Sequence, residues 1–548
     1  MGAASLLPRY DEPMSDPPAI SDRLPGLWVQ ALLVVLAACI AYGPTLGFEL
    51  VWDDLLLADS VSGAVAQGGF GGLLTAEFNL GLPTGYYRPL VLLSLYLDSL
   101  AGIPLYHATN CATHAACSVL VMLLIRSLLG GWAGPLVGGL LFAVHPVHTE
   151  SVAFVSGRTD LMAGLFMLLA TLFWVRIRRR AAGHPGRDMV LLALAYFAAL
   201  ASKELALLLP AVLVVWDLIL PLPEGEDRLG LGRVGRRLAA MVLPLALYLF
   251  VRFAVAGVPI GSPPELAGAG GVPWATFGWL TIPSLLVVYL RLLVVPWPLN
   301  SYYTPDQVAM TATSLVAACA LLGLCALLSR RRHGRVGLLA LSWILGFLLP
   351  VSGVVAIAGA AAAERFLYVP SIGVCLLVGY LVEAAVSGGS RTARLATVLA
   401  CVVVLSVAAS ASLKRSLTWQ DPRSLFETMI ETSPKAWVAH LGLANELVSS
   451  GHYEEAERHF VEVLRLHPAD ADTVSSSHHN LGVLYQIRGD HHRAVAAFRS
   501  AIAARPQSWQ AYRSMAASYR YLGLVEEAAQ AEKRAREILH GQPDRRMK

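Results

Sequence analysis

Long apolar runs alternate with short polar connections along the first part of the chain. A helix needs about 20 apolar residues to cross a bilayer. Runs of this kind begin near residues 27, 104, 133, 159, 188, 204, 238, 278, 309, 337, 366 and 393. The pattern predicts an all-α, polytopic bundle of 11–12 spans over residues 27–413. The run near residue 278 contains Arg291 and ends in two prolines, so we expect it to be a re-entrant or interfacial segment.

Basic residues indicate which ends of the spans face the cytoplasm. Arginine-rich connections begin at Arg176, Arg228, Arg330 and Arg391, and such loops tend to stay on the cytoplasmic side. The acidic connection over residues 47–103, and the turns around Glu150 and Glu204, are then predicted to lie outside. The first run follows a polar lead over residues 1–26 without a clear small-residue cleavage site, so we expect a cytoplasmic tail and a retained first span.

After about Lys414 the apolar runs give way to amphipathic helices with an internal repeat. The stretch LGVLYQIRGDHHRAVAAFRSAIAARP has a suitable residue at each key position of the 34-residue tetratricopeptide pattern. Gly523 follows Gly489 by 34 residues, and Gly451 precedes Gly489 with a four-residue insertion. We predict a half-repeat at WQDPRSLFETMIETSP and then three full repeats, which form an extracytoplasmic α-solenoid over residues 414–548.

Composition narrows the class of protein further. The chain is 56% hydrophobic and only 15% charged, with a mean hydropathy of +0.57, which is too apolar for an ordinary soluble protein. The formal charge of +4 is spread over short runs between spans and gives no basis for nucleic-acid binding. The seven cysteines lie in apolar segments without a CxxC spacing, and we interpret them as small buried side chains.

Polar side chains recur at the predicted outer ends of the spans, where an unpaired charge is costly. They form five clusters: Asp53 and Asp54 after the first span; Tyr86, Tyr87 and Arg88 in GYYRPL; His145, His148, Glu150, Arg158 and Asp160 in HPVHTESVAFVSGRTD; Lys203 and Glu204 in SKE; and Glu364, Arg365 and Tyr368 in ERFLYVPS. Five clusters on one side predict a single extracytoplasmic site.

Several of these clusters also have a simple structural explanation. Two aspartates at the start of a loop can cap a helix, because the carboxylate accepts from free backbone N–H groups. HPVHTE brings two histidines and a carboxylate together, but it is not the HExxH arrangement of a zinc site. His107, Asn110 and His114 lie on one face of the second span, and hydrogen bonds between helices account for them as well as a ligand does.

The motifs VWDD, GYYRPL, HPVHTE followed by GRTDLM, SKE and ERFLYVPS occur in this order ahead of the repeats. Together they closely resemble the transmembrane and tetratricopeptide-repeat-containing (TMTC) O-mannosyltransferase family, and the resemblance covers essentially the whole chain. It implies a membrane glycosyltransferase of superfamily C that takes a sugar, mannose, from a polyprenyl-phosphate donor on the extracytoplasmic face. The Arg-, Ala- and Leu-rich composition is typical of a bacterial protein, which would place the site on the periplasmic face of an inner membrane.

The implied chemistry assigns roles to the clustered residues. Transfer to a Ser or Thr hydroxyl needs a general base, for which Asp53 or Asp54 is suited. The departing lipid phosphate needs cations, and the candidates are Arg88, Arg158, Lys203 and Arg365. The remaining members are expected to bind substrate or to support these groups: Tyr86, Tyr87, His145, His148, Glu150, Asp160, Glu204, Glu364 and Tyr368. A divalent metal is compatible with this scheme but is not required.

Other classes of function stay open. A non-catalytic membrane scaffold whose repeats recruit periplasmic partners explains the solenoid but leaves the five clusters without a cause. A transporter or lipid flippase would favour charges near mid-membrane and an internal repeat of the spans, and neither is evident. Among enzymes, a lipid-linked glycan or a cell-wall polymer is an alternative to an extracytoplasmic protein acceptor bound by the repeats, and the sugar need not be mannose.

Overall fold

The computed structural model describes residues 24–78, 85–179, 185–220, 231–258, 281–304, 307, 335–354, 362–466 and 470–541. Within these ranges the chain consists of helices and connecting turns, with no β-strand. The prediction of an all-α fold is therefore confirmed for the described part of the chain.

Most helices of the membrane domain follow predicted apolar runs, whereas those over residues 53–75, 89–99 and 149–153 lie in segments that the sequence predicted as connections. In chain order they are α1 Leu24–Tyr42, α2 Asp53–Thr75, α3 Pro89–Ser99, α4 Ile103–Leu129, α5 Ala133–Val144, α6 Thr149–Ala153, α7 Arg158–Arg178, α8 Pro185–Leu200, α9 Leu209–Ile219, α10 Leu231–Phe250, α11 Thr281–Val294, α12 Arg335–Leu348, α13 Ser371–Gly388 and α14 Arg391–Ser416. The run that begins near residue 309 lies outside the described residues, as do most of the lead over residues 1–26 and the starts of the loops at Arg228 and Arg330.

Six helical segments among the described residues are long and apolar enough to cross a membrane: Gly26–Gly47, Ile103–Leu129, Val155–Arg178, Val234–Val255, Ser371–Gly388 and Arg391–Trp419. The total of 11–12 spans stays a prediction. α11 has 14 residues, about 21 Å of helix against a hydrocarbon core of about 30 Å. α11 begins at the first described residue after a gap, so the re-entrant or interfacial segment also stays a prediction.

The core of the membrane domain depends on close contact between α5 and α13. A Cβ atom added to Gly134 would lie only 2.2 Å from the carbonyl oxygen of Gly379, so both helices need glycine at their contact. The outer helix α14 is different, since Val402, Val403 and Val407 are more than half exposed. An apolar face of this kind suits contact with lipid.

The unequal lengths of α4 and α5 set the depth of the turn that follows α5. α4 has 27 residues and α5 only 12, about 40 Å and 18 Å of helix. Asn110 of α4 donates its side-chain amide to the carbonyl oxygens of Val152 and Phe154, at 3.2 and 3.1 Å. Asn110 is the eighth residue of α4, so the turn lies about 10 Å along that helix from its N-terminal end.

The repeat domain consists of a short helix and three helical hairpins. Its helices are α15 Pro422–Thr432, α16 Trp437–Ser449, α17 Tyr453–Leu466, α18 Ala471–Ile487, α19 His491–Ala504, α20 Trp509–Tyr521 and α21 Val525–Gly541. α15 occupies the predicted half-repeat. The four-residue insertion lengthens α18, which has 17 residues where α16 and α20 each have 13. A Cβ atom on Gly482 would lie 2.5 Å from the Phe498 ring, so this small residue admits the aromatic side chain of the partner helix.

The two domains meet in an apolar cluster, which we call the junction cluster: Phe48, Val51, Phe154, Trp419 and Phe426. Trp419 is fully buried in the turn Leu417–Trp419 that directly follows α14. The predicted boundary after residue 413 falls inside α14, which ends at Ser416. The junction cluster therefore packs the start of the repeat domain against the membrane-domain segments that follow α1 and α6.

Candidate active site

The acidic pair lies in the first turn of α2, where the helix dipole favours carboxylates. Neither acid is the N-cap residue, which is Trp52. Trp52 has a φ of 52°, in the left-handed region that a bulky L-residue adopts only under constraint. Its ring stacks on Phe154 at 6.1 Å between centroids. This unusual backbone conformation lies directly before Asp53 and therefore sets the orientation of the Asp53 and Asp54 side chains.

Asp54 is an anchor for a neighbouring turn. Ser156 donates its backbone N–H and its hydroxyl to Asp54 Oδ1, both at 2.8 Å, and Val155 N–H donates to Oδ2 at 3.1 Å. The carboxyl is almost fully buried. Burial raises the pKa of Asp54 to about 7, although these hydrogen bonds favour the charged form. Both oxygens of Asp54 are thus occupied by protein donors.

Asp53 is available for chemistry. Its side chain is half-buried, and among the described residues no donor hydrogen-bonds to its carboxylate. Burial raises the pKa of Asp53, and the positive charge of Arg365 opposes that shift. The sequence left the choice between the two acids open, and the contacts of Asp54 favour Asp53 as the base.

Arg365 is fixed by a buried carboxylate. Its backbone N–H donates to Glu150 Oε2 at 2.9 Å, and its guanidinium Nη1 donates to Glu150 Oε1. Glu150 is fully buried, whereas a quarter of the Arg365 side chain is exposed. Burial acts to lower the pKa of Arg365, but the carboxylates of Glu150, Asp160 and Asp53 outweigh it and raise this pKa above its ordinary value. Arg365 is therefore a permanent cation whose charge acts on Asp53.

Lys203 is held beside Arg365 by a second carboxylate. Its Nζ lies 2.6 Å from Asp160 Oδ1 and 5.5 Å from the centroid of the Phe366 ring. Burial lowers the pKa of Lys203, and the nearby charges of Arg88 and Arg365 lower it further, while Asp160 opposes both effects. Such mutual influence requires the three cations to share one region of the protein.

Arg88 is the third cation of this region. Its Nε and Nη2 donate to Glu204 Oε2 at 3.1 and 3.0 Å, and its guanidinium lies 4.3 Å from the centroid of the Tyr86 ring. Tyr87 N–H donates to the other oxygen of Glu204 at 3.3 Å. Tyr87 is itself buried, and its hydroxyl donates to the Leu74 carbonyl at 2.6 Å. Tyr86 and Tyr87 thus support Arg88 and Glu204.

Arg252 also belongs to this region and was missed in the sequence. It lies in a single π-helical turn, Val251–Val255, a feature that often marks functional sites. Its guanidinium is 3.5 Å from Glu204 Oε1 and donates to the Gly85 carbonyl at 2.6 Å. A lone arginine inside the apolar run LYLFVRFAV was the available signal.

Arg158 does not fit its predicted role as a phosphate contact. The side chain is fully buried. Nη1 lies 2.5 Å from Asp98 Oδ2, Nε donates to Asn110 Oδ1 at 2.8 Å, and Nη2 donates to the Tyr106 carbonyl at 2.6 Å. Because these partners take up the guanidinium, its surroundings favour a structural role that ties α3, α4 and α7 together.

The histidines of HPVHTE and Tyr368 lie in the core and not beside Asp53. His148 contacts the Phe142 carbonyl at 2.9 Å and the Ser371 hydroxyl at 2.8 Å through its two ring nitrogens. His145 Nε2 contacts the Leu293 carbonyl at 3.1 Å, and burial lowers the pKa of His145 to about 4. The Tyr368 hydroxyl contacts His114 Nδ1 at 3.0 Å. These partners favour neutral, structural histidines.

Glu364 is fully buried directly before Arg365. Its Oε1 accepts from Asn300 N–H and from the Tyr303 hydroxyl at 3.3 Å. Burial raises the pKa of Glu364 to about 7. In the described part of the chain, no group of three or more His, Cys, Asp or Glu side chains is arranged to hold a metal ion.

Comparisons with known proteins agree with the family resemblance seen in the sequence. A tetratricopeptide repeat family model matches residues 475–508. The human protein O-mannosyl-transferase TMTC1 is 28% identical over 505 residues, which cover 83% of this chain and 56% of the relative. The Drosophila melanogaster protein O-mannosyl-transferase Tmtc1 is 28% identical over 559 residues, which cover 82% of this chain and 63% of the relative. The chain thus matches little more than half the length of these relatives.

A solved structure also resembles the chain over most of its length. The oligosaccharyltransferase of Archaeoglobus fulgidus, crystallised with a tethered acceptor peptide, has a TM-score of 0.43 at 11% sequence identity, covering 80% of this chain and 59% of that one. The six long apolar helical segments in the described part of the chain make it an integral membrane protein.

Proposed function

We propose that this chain, a relative of the TMTC O-mannosyltransferases, is a membrane glycosyltransferase that transfers mannose from a polyprenyl phosphate to a Ser or Thr hydroxyl of an extracytoplasmic protein. The names of its relatives support the class of reaction. The observation that carries the proposal is the half-buried carboxylate of Asp53, which feels the charge of Arg365 and accepts no hydrogen bond from the described residues.

The proposed reaction is a single displacement with Asp53 as the base. The acceptor oxygen attacks the anomeric carbon, the bond from that carbon to the phosphate oxygen breaks, and the phosphate leaves with the bonding electrons. The hydroxyl proton passes to Asp53. A pKa raised by burial makes Asp53 a stronger base than an exposed aspartate, provided that it is deprotonated at the working pH. Attack opposite the leaving group inverts the anomeric centre.

Three paired cations would stabilise the leaving phosphate. Arg365 uses Nη1 for Glu150, Lys203 uses one N–H for Asp160, and Arg88 uses Nε and Nη2 for Glu204. Each therefore keeps further N–H groups that can donate to a phosphate. Since the carboxylates already fix these cations, little reorganisation is needed when the phosphate charge develops.

We place the site on the periplasmic side of a bacterial inner membrane. Arg126 near the end of α4, Arg176 and Arg178 at the end of α7, and Arg391 at the start of α14 all lie at the span ends opposite the site. The positive-inside tendency assigns those ends to the cytoplasm. The repeat domain packs against the outer loops through the junction cluster, so an acceptor bound by the repeats would lie near the base.

The test compares Asp53→Asn with Asp54→Asn in purified protein reconstituted in lipid nanodiscs. Transfer of radiolabelled mannose from polyprenyl-phosphate mannose to a Ser/Thr-rich peptide is measured. Asp53→Asn should reduce transfer at least about 100-fold, while its thermal unfolding stays that of the wild type. Asp54→Asn should instead lower the unfolding temperature, because the amide cannot accept from both Ser156 and Val155. Full activity of Asp53→Asn would overturn the proposal.

A further inference from the structure

One residue connects the repeat domain to the segment that carries Arg365. Asn300 is almost fully buried in the loop after α11. Its backbone N–H donates to Glu364 Oε1. Its side-chain Oδ1 accepts from the Thr432 hydroxyl at 3.0 Å, and its Nδ2 donates to the Ser433 hydroxyl. Thr432 and Ser433 end α15, the first helix of the repeat domain.

The Glu364 end of this connection is tightly determined. Glu364 Oε1 also accepts from the Tyr303 hydroxyl at 3.3 Å and lies 3.5 Å from Arg415 Nη2. Arg415 in turn donates to the Ser301 hydroxyl at 3.0 Å. Glu364 is fully buried, so water cannot replace these partners. Because Arg365 is the next residue, the backbone that Glu364 fixes is the backbone that presents the site guanidinium.

The repeat-domain end is fixed just as closely by the same loop. Gln307 Nε2 donates to the Thr432 carbonyl at 3.0 Å, which satisfies a free carbonyl at the end of α15. The Ser433 hydroxyl lies 3.0 Å from the Tyr302 carbonyl oxygen and 2.9 Å from Gln307 Oε1. The loop over residues 299–304 therefore bonds to the end of α15 on one side and to Glu364 on the other.

We propose that Asn300 is a positioning residue that holds Arg365 in fixed register with the first helix of the repeat domain. Asn300 does not touch substrate. It acts through Glu364 on the placement of Arg365, and through Thr432 and Ser433 on α15. The role of this register in catalysis rests on the proposed function, under which an acceptor held by the repeats is presented at a fixed distance from the phosphate site. The structural register itself can be tested without any activity.

The first test measures hydrogen–deuterium exchange of the full chain in lipid nanodiscs. Asn300→Ala keeps the backbone N–H that bonds to Glu364 but releases the loop over residues 299–304 from Thr432 and Ser433. Because the released loop holds Glu364 less firmly, exchange should speed up at least tenfold in two separate segments, residues 362–368 and residues 430–436. Ser433→Ala, made at the other end of the connection, should affect the same two segments. Asn445→Ala is the control, because the Asn445 side chain accepts from Asn480 at 2.9 Å on the exposed surface of the repeats and belongs to neither end of the connection. Faster exchange confined to residues 299–304 in Asn300→Ala would overturn the proposal.

The second test separates positioning from general loss of structure. With polyprenyl-phosphate mannose and a Ser/Thr-rich peptide, Asn300→Ala should raise the KM for the donor about tenfold, while its unfolding temperature stays close to that of the wild type. The loop released from Thr432 and Ser433 holds Glu364, and with it the neighbouring Arg365, less firmly. Glu364→Gln keeps an acceptor oxygen for Asn300 N–H and should retain the wild-type donor KM, whereas Glu364→Ala should behave like Asn300→Ala. An unchanged donor KM in Asn300→Ala would contradict the inference. If the wild type shows no transfer, the proposed function is wrong. The exchange test still shows whether Asn300 holds the Arg365 segment in register with α15.

Discussion

The membrane domain and the repeat domain both contain many arginine–carboxylate pairs, but the two sets differ in exposure. The side chains of Arg158 and Asp98 are 0% and 7% exposed, whereas those of Arg465 and Glu462 in the repeats are 68% and 30% exposed. An exposed pair gains little because water screens it. A buried charge depends on its partner, since nothing else replaces the lost hydration. Arginine–carboxylate pairs therefore add little stability on the surface of the repeats, whereas in the membrane domain they fix the geometry of the candidate site.

The largest expected effect comes from removing the counter-charge of Arg365. Glu150→Gln leaves the Arg365 guanidinium without its buried carboxylate, which should cost about 3–5 kcal/mol of stability and abolish transfer. The midpoint of unfolding in detergent measures the first effect, and the mannose-transfer assay measures the second. Glu462→Gln, in the exposed pair, is the matched control and should unfold at the wild-type midpoint. Equal shifts in both variants would contradict the contrast between the domains.

An intermediate effect is expected from Arg365→Lys. Lysine keeps the positive charge but lacks the planar fork that lets arginine hold Glu150 and still present N–H groups to a phosphate. We expect transfer to fall about 100-fold, with the donor KM raised and the fold retained. The same exchange at Arg465 should leave transfer and unfolding unchanged. Wild-type kinetics for Arg365→Lys would show that charge alone is sufficient at this position.

A smaller, pH-dependent effect is expected at Glu364. Burial raises the pKa of Glu364 to about 7 from an ordinary value of 4.5, so the folded protein binds this proton more tightly than the unfolded chain. The stability from this group is fully present below pH 4.5 and is lost as the pH rises toward 7. Glu364→Gln mimics the neutral carboxyl. Its stability relative to the wild type should therefore increase between pH 4.5 and 7.

Unfolding temperatures of wild type and Glu364→Gln, measured at several pH values, check this sign. Asn445→Ala adds and removes no titratable group and should follow the wild-type curve at every pH. A difference between Glu364→Gln and the wild type that stays constant from pH 4.5 to 7 would contradict the expected protonation of Glu364.

Most of the helices, and the residues that belong to the candidate site, could be predicted from local patterns. The apolar runs gave the positions of most described membrane helices, and charges between these runs singled out the candidates Asp53, Arg88, Lys203 and Arg365. These residues share one property that the sequence displays: each is polar in a segment that is otherwise apolar. The 34-residue spacing of small residues located the repeats in the same way.

Partners that are distant in sequence could not be predicted. Arg158 has the same local pattern as Arg365, and only Asp98 and Asn110, contributed by other helices, make it structural. Asp53 and Asp54 differ because Ser156, about a hundred residues later, donates to one and not to the other. His145 was expected to bind substrate or to support the site, but its Nε2 contacts the Leu293 carbonyl. In each case burial and partner are properties of the assembled bundle.

The short length of α5 has a consequence for which hydroxyl groups could be modified. With the proposed orientation, the turn after α5 lies about 10 Å below the outer end of α4, and Ser156 of this turn is bonded to the acid next to Asp53. A serine on the flat face of a folded domain could not descend that far without steric collision. An extended segment of about three residues, at about 3.3 Å each, would span this distance. Under the proposed function, the depth of the turn therefore favours serines and threonines in flexible segments over those on the surface of a folded domain.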